Sequence, residues 1–286
     1  MSDQLQSWIA EQVRALVVGP RADAHRAELS ASPGERWFPN GSVIQRINGD
    51  SSMFVGGLRA LFLQSLHPLA MAGVAEHSDY RTDPWGRLQR TAHFLAATTF
   101  GPAEMAERAV ERVRGVHEHV TGFAPDGRPY AANDPHLLRW VHVAEVDSFL
   151  AAYRRHGADE LTDDDADTYV AQMAVIARAL GVPAPPESVM ALRDQLRSYR
   201  RELAGTSQAR DVAKYLLWQP PLPPAGRVVY QALAGSAVAL LPLWARRPLR
   251  LPWMPLTEAI AVKPAGDAVT RGLRWALSAS PGEAHR

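Results

Sequence analysis

The run Arg87-Leu-Gln-Arg90-Thr91-Ala-His-Phe-Leu-Ala-Ala-Thr-Thr-Phe-Gly101-Pro-Ala-Glu104-Met-Ala106-Glu-Arg108-Ala-Val110-Glu-Arg112-Val113-Arg-Gly-Val116-His117-Glu-His119-Val120 reads as two helices around one break. The first helix stops at Gly101. Pro102 suits the first turn of the second, where a missing N–H costs nothing. Glu104 stands near the positive end of that helix, where a carboxylate is favoured. Ala106, Val110, Val113, His117 and Val120 share one face, because residues three and four apart are neighbours on a helix. His119 falls instead with Arg108 and Arg112. His117 is therefore expected to be buried and His119 exposed. Arg87 lies 14 residues before Gly101 and His117 lies 16 after it. At about 1.5 Å rise per residue both stand roughly 21–24 Å from the turn, so an antiparallel pair would bring them to one height. Arg87 and Thr91 share a face and Arg90 borders it.

Working outward, helical signals dominate. Residues 3–18 carry Leu5, Trp8, Ile9, Val13 and Leu16 at helical spacing. Residues 20–50 are rich in Pro, Gly and Asn and read as irregular. An apolar run over 54–75 breaks at His67-Pro68, because proline disfavours helix at the residue before it. The second helix of the opening pair is expected to run to about Gly122, and Ala124-Pro-Asp-Gly-Arg-Pro is a turn. Asp134 then caps a helix to about Arg155, with Pro135 at its first position. Further helices fit 163–180, 186–204, 208–217, 226–240 and 265–279. Strand alternation is nowhere convincing, and no repeat or long linker divides the chain. The expectation is a single all-α domain over residues 1–286.

Composition narrows the chemistry. The chain has 286 residues, 47% of them hydrophobic, enough for one large core. A formal net charge of +1 provides no field for nucleic acid. Of 31 basic residues only Lys214 and Lys263 are lysine, a compositional habit rather than a phosphate site. Cysteine is absent, which excludes disulfides, thiolate haem ligation, cysteine zinc sites and iron–sulfur clusters. The cysteine-free composition and a polar N-terminus without an apolar signal core fit a cytoplasmic protein. Val228 to Ala245 is almost uncharged and near the lower length limit for a membrane span. Gln231, Ser236 and Pro242 favour a buried core helix there. Basic flanks, Trp244 and Trp253 also suit peripheral contact with a membrane surface.

From residues alone, His117 is either a core histidine hydrogen-bonded to a neighbour or a metal ligand. His142 is equally open: with Leu138 and Phe149 along its face it could ligate, orient a propionate or pair with Glu145. His67, before Pro68, reads as a structural tie at the helix break. Other chemistries fit less well. None of the 10 histidines has Glu three residues before it, as a di-iron bundle requires. Asp163-Asp-Asp165-Ala-Asp167 could hold magnesium in an isoprenoid synthase, but reads better as the acidic first turn of a helix capped by Thr162. His117-Glu-His119 lacks the His-Glu-x-x-His spacing of zinc proteases. Phosphate-binding glycine loops and a Gly-x-Ser-x-Gly elbow are missing.

Several segments in order carry a resemblance: Leu63-Gln-Ser-Leu-His67-Pro68; His77-Ser-Asp-Tyr-Arg-Thr-Asp83-Pro84; Arg87-x-x-x-Thr91; His117-x-x-Val120-x-Gly122; Asp126-Gly-x-x-Tyr130-x-Ala132-x-Asp134-Pro135; Trp140-Val-His142; and Leu240-Leu241-Pro242. Over roughly residues 36–260 the chain resembles the catalytic domain of the MpaB/rubber-oxygenase (latex-clearing protein) family. The resemblance implies a globin-like helical domain with extra helices, holding haem b. It implies His117 as the proximal iron ligand, with Arg87 and Thr91 as distal-side or haem-contacting residues. Imidazole suits haem iron, and arginine suits propionates or polarised oxygen. His142 joins the implied cofactor-binding set. The implied activity is oxygenation, with O2, of an unsaturated hydrophobic substrate, either isoprenoid-like or aromatic. A haem-binding sensor or carrier without turnover is the non-enzyme counterpart. One departure matters: rubber-cleaving members carry lysine where this chain has Arg90, and guanidinium does not deprotonate to ligate iron. The distal site is therefore expected to be open. Rubber-cleaving members also carry an acid upstream of the arginine, for which Glu76 and Asp79 are the candidates here.

Overall fold

The computed structural model describes residues 2–17, 19, 34–220 and 222–278, with some side chains of the first helix outside that description. Leu5, Trp8 and Ile9 of the expected N-terminal stripe are among those side chains, and most of the expected irregular stretch, 20–33, also lies outside the described residues. Helices account for nearly all regular structure. They are α1 (Ser2–Val17), α2 (Val43–Asn48), α3 (Met53–Gln64), α4 (Pro68–His77), α5 (Pro84–Phe100) and α6 (Ala103–Glu118). A small ribbon, β1 (Thr121–Phe123) and β2 (Pro129–Ala131), comes next. Then follow α7 (Pro135–His156), α8 (Asp163–Ala179), α9 (Val189–Ser198), α10 (Ser207–Trp218), α11 (Pro224–Leu240), α12 (Leu243–Leu249) and α13 (Lys263–Leu277).

The helix boundaries have local causes. Asp83 accepts a hydrogen bond from the Gly86 N–H and Pro84 opens α5. Asp134 accepts from the His136 N–H with Pro135 in the first turn of α7. Thr162 accepts from the Asp165 N–H at the start of α8. Each satisfies one amide that a helix start leaves unpaired. The break at His67-Pro68 falls as expected between α3 and α4.

Three expectations need correction. α6 ends at Glu118, short of Gly122, because the chain enters the ribbon, where Thr121 pairs Ala131 and Phe123 pairs Pro129 in antiparallel register. Three residues per strand are too few to show alternation. Residues 43–48 form α2, inside the stretch read as irregular. Val228 to Ala245 is two helices: α11 and α12 meet at 119° across Leu241-Pro242. No single described helix is long and apolar enough to cross a membrane, although this bent pair passes by length and composition together.

The core is centred on the crossing of α3 and α7. Phe62, Leu63, Trp140, Val143, Ala144 and Tyr153 are all buried there. The Trp140 indole donates to the Gln64 carbonyl at 3.1 Å, which satisfies its only polar atom. Buried charges in this half are matched. Arg59 bridges α3 to α7 and α11 through Asp147 (2.7 Å), the Ser148 hydroxyl (2.7 Å) and the Leu240 carbonyl (3.2 Å). Arg246 holds the α11–α12 bend by donating to the Ala239 and Leu241 carbonyls and to Glu258. Those carbonyls lose their helical partners at the bend, so the guanidinium replaces what the fold broke. Asp267 binds Arg155 and His156, and Asp50 binds Arg274, tying α13 to α7 and to the α2–α3 turn.

Candidate functional site

The α5–α6 hairpin is fully buried only near its Gly101 end. Ala97, Thr98, Thr99, Ala106 and Val110, all close to Gly101, are buried. Beyond them no residue from Pro84 to Ala96 is fully buried, and Val113 and His117 are half-buried while Val116 is exposed. An apolar helix face left uncovered by protein marks a site of interaction.

Arg87 and His117 stand on this open end. His117 is half-buried, and burial lowers its pKa below the ordinary histidine value. It is therefore neutral at pH 7. Its ring has no hydrogen-bond or ionic partner among the described residues, so the hydrogen-bonded core histidine is not what the structure shows. His119 lies on the exposed side, as expected, with Nδ1 2.8 Å from the Gly115 carbonyl. Burial likewise lowers the Arg87 pKa; Tyr80 opposes this and the positive charge of Arg90 adds to it. No carboxylate pairs with Arg87 among the described residues. Its neighbours on α5 are occupied: the exposed Thr91 hydroxyl donates to the Arg87 carbonyl at 3.1 Å, and the exposed Arg90 reaches Asp83 at 3.2 Å.

The acids upstream of Arg87 are also placed. Tyr130 donates a short hydrogen bond to the Glu76 carboxylate. His77 Nε2 lies 3.1 Å from the same phenol and 3.2 Å from the Thr121 carbonyl. Gly122 admits this contact, since a Cβ there would sit 2.5 Å from the Tyr130 oxygen. Asp79 is exposed.

α7 adds two more groups. His142 is buried, its Nε2 has no partner, and burial depresses its pKa to about 4. One turn on, burial pushes the Glu145 carboxyl up to about 7. The two do not bond to each other, so of the three roles open to His142 the pairing with Glu145 is not the one the structure shows. Glu145 lies close enough to raise the Tyr169 pKa, and Tyr169 donates to Asn48 (2.9 Å), whose amide in turn donates to Thr99 of α5 (3.0 Å). A polar chain thus runs from the Glu145 neighbourhood to the closed end of the hairpin.

His67 is not the hydrogen-bonded tie expected from the sequence. Neither ring nitrogen has a hydrogen bond, although Nε2 lies 3.5 Å from Glu202. Glu202 instead pairs with His136 at 2.7 Å. His136, Glu202 and the isolation of Glu145 have no signature in the sequence, because their neighbours come from distant segments. The acidic run of α8 is spent on structure: Asp163 pairs with Arg154, Asp165 with Arg46, and Asp167 accepts from the Val189 N–H.

The hairpin therefore offers a neutral imidazole with a free lone pair and an unanswered cation. Such a donor set can ligate a metal ion and bind an anionic group. Imidazole is a common axial ligand of haem iron, and guanidinium binds carboxylates or reduced oxygen. The buried, unpartnered Nε2 of His142 is a further group awaiting a partner. Neither a curated protein nor a solved structure matches the chain. A family model described as ER-bound oxygenase mpaB/B'/rubber oxygenase, catalytic domain, matches residues 45–278, extending past residue 260, where the resemblance in the sequence motifs stops. With most of its length covered, including Arg87, His117 and His142, the chain belongs to the mpaB/rubber-oxygenase catalytic-domain family, and so to a family of oxidoreductases.

Proposed function

We propose that this chain is a haem b-dependent oxygenase in which His117 is the axial iron ligand and Arg87 and Thr91 line the cofactor pocket. The observation that carries this reading is that Arg87 and His117 are both half-buried, with pKa values lowered by desolvation, and both lack a partner among the described residues. An unpaired desolvated charge is costly to a fold, so its retention points to a ligand. Haem, when bound, supplies the redox-active iron that O2 chemistry requires. The protein's part is positional. Neutral His117 presents a lone pair from the α6 stripe. Arg87 remains cationic and holds an anionic group or a polarised oxygen. Arg90, paired with Asp83 at the surface, would supply no neutral nitrogen to the iron. His142, whose buried Nε2 has no partner, would bind or orient an acidic group of the cofactor. Glu145, titrating near neutral pH, holds a proton that it can exchange. The half-buried apolar faces of α5 and α6 favour a small unsaturated hydrophobic substrate, isoprenoid-like or aromatic. The exposed Trp253, Met254, Leu256 and Ile260 on the segment anchored by Arg246–Glu258 give a surface for peripheral membrane contact.

The test is the visible spectrum of protein purified with haem available. One haem b per chain is expected. His117→Ala removes the Soret band or greatly weakens haem retention, whereas His119→Ala leaves both intact. Retention of a native Soret band in both variants would overturn the assignment of His117.

A further inference from the structure

A second cluster lies outside the hairpin, apart from the groups assigned to the haem pocket. His67 is the residue before α4, at the break from α3. His136 is in the first turn of α7, and Glu202 follows the short helix Tyr199–Arg201. One ligand atom from each lies within 4.8 Å of the others. The backbone already draws two of these segments together, because the Ala204 N–H donates to the Leu66 carbonyl at 2.8 Å.

We propose that His67, His136 and Glu202 form a binding site for a divalent transition-metal ion of the zinc class, which cross-links the α3–α4 break, the start of α7 and the α9–α10 connection. The donor set is two imidazoles and one carboxylate with room for a solvent ligand, as in open zinc sites. The spacing suits it. Zinc bonds of about 2.0–2.1 Å in tetrahedral array put ligand atoms about 3.3 Å apart. Glu202 Oε2 now stands 2.7 Å from His136 Nε2 and 3.5 Å from His67 Nε2, values that bracket that separation. With all three ligand atoms within 4.8 Å of one another, side-chain shifts would suffice to bring them onto one ion.

Burial points the same way. His67 is 2% exposed, and both of its nitrogens lack hydrogen bonds. A buried polar atom that hydrogen-bonds to nothing marks a missing partner. The surroundings orient the ligands as a metal's outer shell does. The Tyr199 hydroxyl donates to the His136 carbonyl at 2.8 Å, and the two rings stack at 4.6 Å. Trp140 closes the inner side at 6.1 Å from the His67 ring. The outer side is open, since the His136 and Glu202 side chains are 47% and 42% exposed, which leaves an entry path and a position for water. Paired histidine and glutamate alone would explain His136–Glu202, but not the empty nitrogens of His67 beside them.

The experiment uses the full-length, tag-free protein, chelated, dialysed and titrated with Zn2+ and with Co2+. One Zn2+ per chain is expected, and bound Co2+ should show the strong visible bands of a tetrahedral site. His136→Ala and Glu202→Gln alter half-exposed side chains and should fold. Each should weaken Zn2+ binding by roughly 100-fold or more, since even outer-shell changes cost 10- to 100-fold. His117→Ala should bind Zn2+ as the wild type does, which separates this site from the haem pocket. X-ray absorption at the zinc edge should show two imidazoles. The proposal is overturned if the wild type takes up no Zn2+ at tenfold excess over protein. It is also overturned if both variants keep wild-type affinity, or if the absorption edge shows no imidazole.

Discussion

Arg246 and Arg87 are both drawn out of water, and only Arg246 is answered. Its guanidinium meets Glu258 at 2.6 Å and two carbonyls at 2.7 Å. Arg87 has no carboxylate among the described residues and sits near a second arginine. The contrast extends to the regions around them. In the α3–α7–α11–α13 half, Arg59, Arg155, His156 and Arg274 all have acidic partners. Arg87 and His117 on the α5–α6 hairpin, and His142 and Glu145 on α7, have no oppositely charged partner among the described residues. The same chain that answers these buried charges leaves four other desolvated groups without a protein partner among the described residues.

The sharpest way to break this comparison is to remove Arg246. Arg246→Ala should destabilise the protein by about 3–5 kcal/mol in urea unfolding, because it strands Glu258 and the two carbonyls in a buried setting. Replacing both partners, Arg246→Met with Glu258→Leu, should recover much of that loss, since no unpaired charge remains. A loss below about 1 kcal/mol for the single variant would show that the pair does not hold the bend.

The next effect in size concerns Glu145 and reads out as a pH dependence. Its folded pKa is raised to about 7 from an ordinary 4.5, so between these values the native state holds a proton that the unfolded chain has released. The protein should lose stability as pH rises through that window, by about 3 kcal/mol, since each tenfold change in proton affinity is worth about 1.4 kcal/mol. His142 acts oppositely: its folded pKa of about 4 lies below 6.5, so its stabilising contribution is lost as pH falls from 6.5 towards 4. Glu145→Gln isolates the first effect. It should be more stable than wild type at pH 8 and nearly equal at pH 4.5. Equal stabilities at pH 8 would mean that Glu145 has a partner or full hydration.

Much of this contrast is legible in the sequence at the level of helices. The break at Gly101, the Asp134-Pro135 start and the His67-Pro68 stop follow local backbone rules, and the 3.6-residue stripe places His117 and His119 on opposite sides. What is not legible depends on contacts between distant segments. The ribbon strands are too short for period-two alternation. The bend at Pro242 is held by Arg246 reaching Glu258, beyond any helical period. His67 meets Glu202 across 135 positions of the chain, so no spacing motif marks it. The lack of a charged partner for Arg87 and Glu145 among the described residues is a property of what packs beside them, and sequence periodicity reports which face is apolar, not what that face meets.

The smallest expected effect sharpens the comparison most, because its sign is opposite to that at Arg246. Arg87→Met keeps the aliphatic stem and removes a desolvated charge that no described protein group compensates. In protein prepared without haem the variant should therefore match the wild type or exceed it by about 1 kcal/mol in urea unfolding, the usual scale for relieving an unpaired buried polar group. With haem supplied the order should reverse: the variant should retain less cofactor, because the guanidinium that held an anionic group is gone. The paired measurement separates a charge kept for a ligand from one kept for the fold. A variant that is less stable by more than about 1 kcal/mol without haem, and retains haem normally, would make Arg87 a structural residue like Arg246. The hairpin would then lose the feature that sets it apart from the rest of the molecule.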